Sequence, residues 1–546
     1  MATNLGDSSS FVEIDTTINS ALNEWKNACA LLSNTINFYA SACAALKTTC
    51  AVPVYRSSGY PRIEETLLTV NSHLELLELE EEKLRSTRAL LTTLRNKSTT
   101  LAPVNKLPQE ILSYVFFLAK SRCVHDEDFG SHGPTIVCSH WRHVAMNTPN
   151  LWTHIDIGPG IPERLAQLLL ERTKDYPIYV HAHEPDANPS GNQSSPEDEA
   201  KMAIDLLKPH IHRVRGFIIQ SRKTSSSFIS AMIKLWLSRG SPSFSKYLLV
   251  SRPPARDVLR VRTTKSQSAN PTSLSKKVED VLLTLDVLHL QGLKINYDSN
   301  AYRGLTDLRL DFTKQGGDSI PVSHFANILS ASSAVSILKL GGIDITDTEG
   351  WSSPGPILLG SLKVLKLFGI NSNSLRLVLS LIGLPGSPVE LSLSLGRYLP
   401  IHDKLVAFFR GARISTLHLY GYKPDSGSLS AWLPLSELRT LILENHQWGL
   451  SSVRELGPTS SQSTSLSRLT VILLQCQIKS GYIKSFVEGF GVQELHFEQC
   501  VSARRDGTSP QAMANLLLED HPGLRCCVSD TIDSTSRLPC RTVLDD

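Results

Sequence analysis

The sequence predicts an α+β / α/β solenoid in three parts: an N-terminal antiparallel helical hairpin over 11–97, a small all-α module over 101–157, and a C-terminal curved leucine-rich-repeat-like solenoid over 151–528, with a flexible tail at 529–546. Three observations carry that expectation. Apolar residues step by three and four through the first hundred positions. A Leu-Pro-x-Glu-Ile-Leu segment opens a compact helical stretch at 107. Strand-like L-x-x-L-x-L runs then recur to the end of the chain.

The first element rests on two stripes. Phe11, Ile14, Ile18, Leu22, Trp25, Cys29, Leu32, Ile36, Tyr39, Cys43 and Leu46 form the first, the pattern of an amphipathic helix. A breaker follows, with Pro53, Gly59 and Pro61, before Ile63, Leu67, Val70, Leu74, Leu77, Leu84 and Leu91 form the second. Equal helices joined by a breaker suggest a hairpin that closes on itself. A dimeric coiled coil is the alternative, and Glu81 and Arg88, which interrupt the second seam, count against it.

The third element rests on a repeat. Aligned on the second leucine, the runs fall at Leu288, Leu308, Leu338, Leu365, Leu391, Leu417, Leu441, Ile472 and Leu495, with gaps of 20 to 31 residues. Weaker copies lie upstream at Trp152–Ile157, 177–180, Val214–Ile219 and Phe244–Leu249. Helix-like stretches such as 322–332 separate the runs. Alternation turns the fourth and sixth residues of each run inward, so each unit buries that face only against its neighbours. The asparagine or cysteine usual after the last leucine is mostly missing; Cys500 alone matches. A doubly wound α/β enzyme is the fallback. Loop-like insertions are expected at 184–200, 251–277 and 457–465.

Bulk properties exclude several classes. At 546 residues, with 41% hydrophobic and 20% charged, the chain is neither one compact core nor disordered. A net charge of +3 gives no general pull toward nucleic acid or membrane. The polar start MATNLGDSSS does not read as a signal peptide, and no run approaches ~18 consecutive apolar residues. Ten cysteines without a C-x-x-C pair suggest reduced thiols in the cytoplasm and/or nucleus. Nucleotide-loop, zinc-protease and serine-hydrolase signatures are missing, so the expectation is no enzyme, no cofactor and no metal. His181-x-His183 puts two imidazoles on one side of a possible strand, but two ligands do not make a metal site, and a solvated edge is expected. Asp126 and Asp128 read as a solvated loop.

The middle element carries the most specific signal. Pro108 suits a first helical turn, and Glu110 faces the positive end of the helix dipole. Val137, Cys138, Trp141, Val144 and Ala145 suit a second helix, and Pro149-x-Leu151-Trp152 ends the stretch. These three motifs, in this order, resemble the fungal-type F-box followed by a leucine-rich region. The resemblance implies docking on the Skp-type adaptor, and through it on a cullin, of a Skp–cullin–F-box ubiquitin ligase. It transfers the adaptor contacts to Leu107, Pro108, Ile111, Leu112, Val115, Cys138, Trp141, Leu151 and Trp152. The repeats would then hold a protein substrate, with the chain a monomer before assembly. A leucine-rich binding scaffold not coupled to a ligase is the alternative.

A substrate strip is also legible. The residue between the last two leucines of each run points away from the core. That column reads His289, Arg309, Lys339, Lys366, Ser392, His418, Ile442, Leu473 and His496, with Phe368 and Tyr420 two places beyond Lys366 and His418. Cations beside aromatics suit an acidic or phosphorylated segment, although Asp307 and Asp311 flank Arg309 and can cancel it.

Overall fold

The computed structural model describes residues 8–50, 60–97, 102–119, 133–158, 161–184, 196–221, 227–239, 246–251, 259–261, 273–312, 319–347, 355–394, 402–421, 437–445, 469–502 and 508–529. The breaker before Tyr60, Asp126, Asp128, the loop 457–465, the tail after Ser529 and most of the two longer insertions lie outside them. The chain divides into two units, Met1–Asn96 and Lys97–Asp546.

The first unit holds two long helices, α1 (Ser8–Cys50) and α2 (Tyr60–Lys97). Trp25, Leu32, Ile36, Tyr39 and Leu46 of the first stripe remain exposed, as do Leu74, Leu84 and Leu91 of the second. A groove between the helices is lined by Tyr39, Cys43, Leu46, Val70, His73 and Leu74. The expected hairpin, with both stripes buried against each other, is therefore corrected. Two helices of this kind, interleaved with Ser, Thr and Asn, cannot by themselves exclude water from both stripes. The stretch Asn19–Thr48 is long and apolar enough to cross a membrane by length and composition, although Glu24, Lys26 and Lys47 fall within it.

The second unit begins with the small helical module. A single turn, Pro103–Lys106, leads into α3 (Gln109–Ala119), α4 (Gly133–Val137) and α5 (Ser139–Met146), and a turn at Pro149–Trp152 closes it. Helix α3 starts where expected, with Leu112 N–H donating to the Pro108 carbonyl at 2.9 Å. Cys138 caps α5, its Sγ accepting from the Trp141 N–H at 3.4 Å. Trp152 is sealed inside, its indole donating to the Ala145 carbonyl at 2.9 Å.

The chain then enters one 14-stranded sheet: β1 (His154–Ile157), β2 (Ile178–His183), β3 (Val214–Gln220), β4 (Tyr247–Ser251), β5 (Val287–Gln291), β6 (Asp307–Asp311) and β7 (Ile337–Gly341). It continues through β8 (Val364–Phe368), β9 (Val389–Ser394), β10 (Ile414–Tyr420), β11 (Thr440–Glu444), β12 (Leu469–Leu474), β13 (Val492–Glu498) and β14 (Arg525–Ser529). Every neighbouring pair is parallel, and spatial order follows chain order without reversal. Helices such as Val322–Ala331, Ser372–Leu381 and Ser480–Phe490 occupy the connections, as parallel strands require.

This is an α/β fold on an all-parallel sheet, and it replaces the expected hairpin, all-α module and curved leucine-rich-repeat-like solenoid as the fold class. The misreading has a physical source. Strand, turn and helix recur with one spacing whether or not a sheet curves, so hydrophobic period alone does not distinguish the architectures. Among the described strands there is also no order reversal of the kind that opens the ligand crevice of a doubly wound sheet.

One core runs from Leu112 and Phe116 through Trp152, Ile155, Phe217 and Leu338 to Leu524, so module and sheet share their interior. A turn residue with positive φ recurs just past the strands: Gly292, Gly342, Gly369, Gly421, Asn445, Gln475 and Gln499. The backbone there turns left-handed, a conformation only glycine takes without cost. The turn also extends the ladder; Gly342 N–H, for example, donates to the Phe368 carbonyl at 2.9 Å.

Candidate functional site

Helix α3 has more apolar residues than its module can cover. Leu112 and Phe116 face inward, at 0% and 2% exposure. Ile111, Tyr114, Val115 and Leu118 stay in water, with Ile111 at 49% and Leu118 at 56%. Their spacing of i, i+3, i+4 and i+7 makes one continuous stripe along the helix. Leu107 and Val104 extend it at the N-terminal end, and Pro108 is exposed beside them. A contiguous apolar strip in water is the usual mark of a docking surface.

The residues transferred by the F-box resemblance thus fall into two groups. Leu107, Pro108, Ile111 and Val115 lie on the exposed strip. Leu112, Leu151 and Trp152 are buried in the shared core and present no surface to a partner. Trp141 is half-buried, its indole donating to Asn105 Oδ1 at 3.1 Å and its ring 4.9 Å from that of Phe116. Cys138 is half-buried and occupied as the α5 cap. Sequence reading missed Tyr114 and Leu118. The signal was present, because a short helix that is apolar on every side must either be buried all round or have a partner.

The second surface is the open face of the sheet. Register places Leu249, His289, Arg309, Lys339, Lys366, Ser392, His418, Ile442, Ile472 and His496 side by side in one row across β4 to β13. Leu473 is corrected. It pairs with Leu443 and lies fully buried in the core, so Ile472 takes its place in the row. Phe368 and Tyr420 share the open face, one pleat along. The Phe368 ring lies across Gly341, where a Cβ would come within 2.2 Å of it, so a larger residue there would displace the ring.

The charges in this row are less uniform than the sequence implied. Asp307 accepts from Arg309 Nε at 3.0 Å and Nη2 at 2.9 Å, and its Oδ2 lies 3.2 Å from His289 Nε2. Burial alone would raise the Asp307 carboxyl, but hydrogen bonds and charge from His289 and Arg309 hold it below its ordinary value. His289 is pushed down, first by burial and then by Arg309 and Lys339, with Asp307 opposing. His418 is likewise engaged, its Nε2 2.9 Å from Glu444 Oε2.

Lys366 stands apart. Lys366 is 3% exposed, and its Nζ has no hydrogen-bond partner among the described residues. Burial drives its pKa down to about 6, and Lys339 and then Arg309 add to the effect, with Glu390 pulling back. A buried amine held near neutrality beside Lys339 regains its proton only where an anion compensates it. Of the four-cation run expected from sequence, His289 and Arg309 are engaged by Asp307.

No family model matches the chain, and the search of curated proteins found no match.

Proposed function

We propose that this chain is a substrate receptor that docks on a Skp-type adaptor of a Skp–cullin–F-box ubiquitin ligase and holds a protein substrate on the open face of the sheet. The observation that carries the reading is the water-exposed strip of Leu107, Ile111, Tyr114, Val115 and Leu118. It sits on the helix that the L-P-x-E-I-L motif opens. A helix with an i, i+3, i+4, i+7 apolar stripe laid in a partner's groove is a recurring mode of protein recognition. On the substrate side, the Lys339–Lys366 pair with Phe368 beside it favours an acidic or phosphorylated segment. An anion bound there draws a proton onto Lys366.

The test is direct binding of a purified Skp-type adaptor to the wild-type chain and to an Ile111→Asp, Leu118→Asp variant. Both side chains are exposed, so the variant is expected to melt as wild type does. Binding is expected to weaken by about 100-fold or more, since a central charge without a partner is among the costliest interface changes. Equal binding by both proteins would remove this strip as the docking face. A wild-type chain that fails to bind the adaptor at all would leave a binding scaffold uncoupled from a ligase.

A further inference from the structure

We propose that Asp156, His181 and His183 form a binding site for a divalent zinc-class metal ion at the first edge of the sheet, independent of the ligase reading. Sequence alone offered only His181-x-His183, one ligand short. Parallel register between β1 and β2 supplies the missing one, because Asp156 pairs directly with His181. Alternation along β2 then puts His183 on the same face as His181. One ligand atom from each of the three residues lies within 4.8 Å of the other two.

The local geometry is that of a built site. His181 is 3% exposed, with its Nδ1 3.3 Å from Asp156 Oδ1. The His183 ring packs on it at 3.9 Å between centroids. Burial alone would raise the Asp156 carboxyl, but the hydrogen bond with His181, and the charges of His181, His183 and His154, hold it below its ordinary value. The end of β1 is pressed onto the site by Gly158, whose φ is +154° and where a Cβ would fall 2.7 Å from that of His183. Only a glycine permits this approach.

Two imidazoles and a carboxylate suit Zn²⁺ and the first-row ions that substitute for it, with ligand bonds near 2.0–2.2 Å. A 4.8 Å spread closes to that geometry by small rotamer adjustments about the buried His181. Three protein ligands leave a fourth position for water or for a side chain of a bound partner. The ion would fasten the edge strand, which follows directly from the helical module, to the rest of the sheet.

The experiment uses the full chain without an affinity tag, stripped of metal, titrated with Co²⁺ and then Zn²⁺. Wild type is expected to take up one Co²⁺ with visible d–d absorption of a four-coordinate site, and Zn²⁺ is expected to displace it. Asp156→Asn and His183→Gln, both at partly exposed positions, are expected to lose that spectrum and to weaken Zn²⁺ by more than about tenfold in chelator competition. His496→Gln, on the same face at the far end of the sheet, is expected to match wild type. Matching far-UV circular dichroism of the metal-free proteins shows that each variant folds. Should either substitution prevent folding, His183→Asn at the same position serves as the second variant. Absence of the Co²⁺ spectrum in wild type, or its survival in both site variants, overturns the assignment.

Discussion

On the inner face of β7 and β8 sit Leu338, Leu340, Leu365 and Leu367; one residue along, on the outer face, sit Lys339, Lys366 and Phe368. The inner face is nearly uniform. From Ile155 to Phe497 it is built of aliphatic and aromatic side chains in one continuous core. The outer face changes character strand by strand: an Asp–His cluster at β1 and β2, an Asp307-centred ion network at β5 and β6, two lysines at β7 and β8, and a small apolar patch of Ile442, Ile472 and Leu474 at β11 and β12. Packing dictates the first face, because each strand buries it only against its neighbours and the helices. Packing leaves the second nearly free, so its composition records what the surface is for.

The contrast can be broken most sharply by substitutions one residue apart. Leu473→Ala, on the inner face, is expected to cost about 2–5 kcal/mol, as large-to-small core changes do. Ile472→Ala, buried too but in an outer-face patch of only three apolar residues, is expected to cost less, about 1.5–2 kcal/mol. Denaturant titration of both variants decides; a larger loss at Ile472 would mean that the register of β12 is shifted by one residue.

Lys366 is where the faces conflict, because an ionisable amine sits at a buried outer position. Its pKa is depressed from 10.5 to about 6, so the unfolded chain binds the proton more tightly than the folded one. The penalty is therefore full below pH 6, shrinks as pH rises, and vanishes above about 10.5. Lys366→Met is expected to stabilise the protein on the order of a few kcal/mol at pH 6, and by progressively less toward pH 10. Urea melts across that range test this, and a gap that widens with pH would contradict it. A bound phosphorylated peptide is expected to draw a proton onto Lys366, so its affinity should fall as pH rises above 6. Calorimetry in buffers of different ionisation enthalpy measures that uptake.

The smallest effect concerns the first unit. Removing residues 1–96 is expected to leave the melting temperature of the remaining chain unchanged, because the two units are compact separately. A clear drop on differential scanning calorimetry would show that the second unit draws stability from the first.

Much of this was legible in the sequence, and the failures are instructive. The period placed β5 to β13 within a residue, and the row from His289 to Lys366 follows from alternation once one strand is anchored. It slipped only at β12, where Leu469-Thr-Val-Ile-Leu-Leu474 is apolar at nearly every position and carries no alternation to read. The same degeneracy hid which side of α3 faces outward: Leu112, expected on the adaptor surface, is buried, while Tyr114 and Leu118 are exposed. Asp156 was invisible for another reason. It lies 25 residues before His181, and only the β1–β2 register brings them together.

These placements change how the docking claim should be tested. Leu112→Asp would bury a charge in the shared core and unfold the module, whereas Ile111 and Leu118 report on the surface alone. Hydrogen–deuterium exchange of the full chain, with and without a purified Skp-type adaptor, asks the question without any substitution. The account predicts slowed exchange in peptides spanning 104–118 and none on the open face from β5 to β10. Unchanged exchange across 104–118 in a chain saturated with adaptor would contradict it.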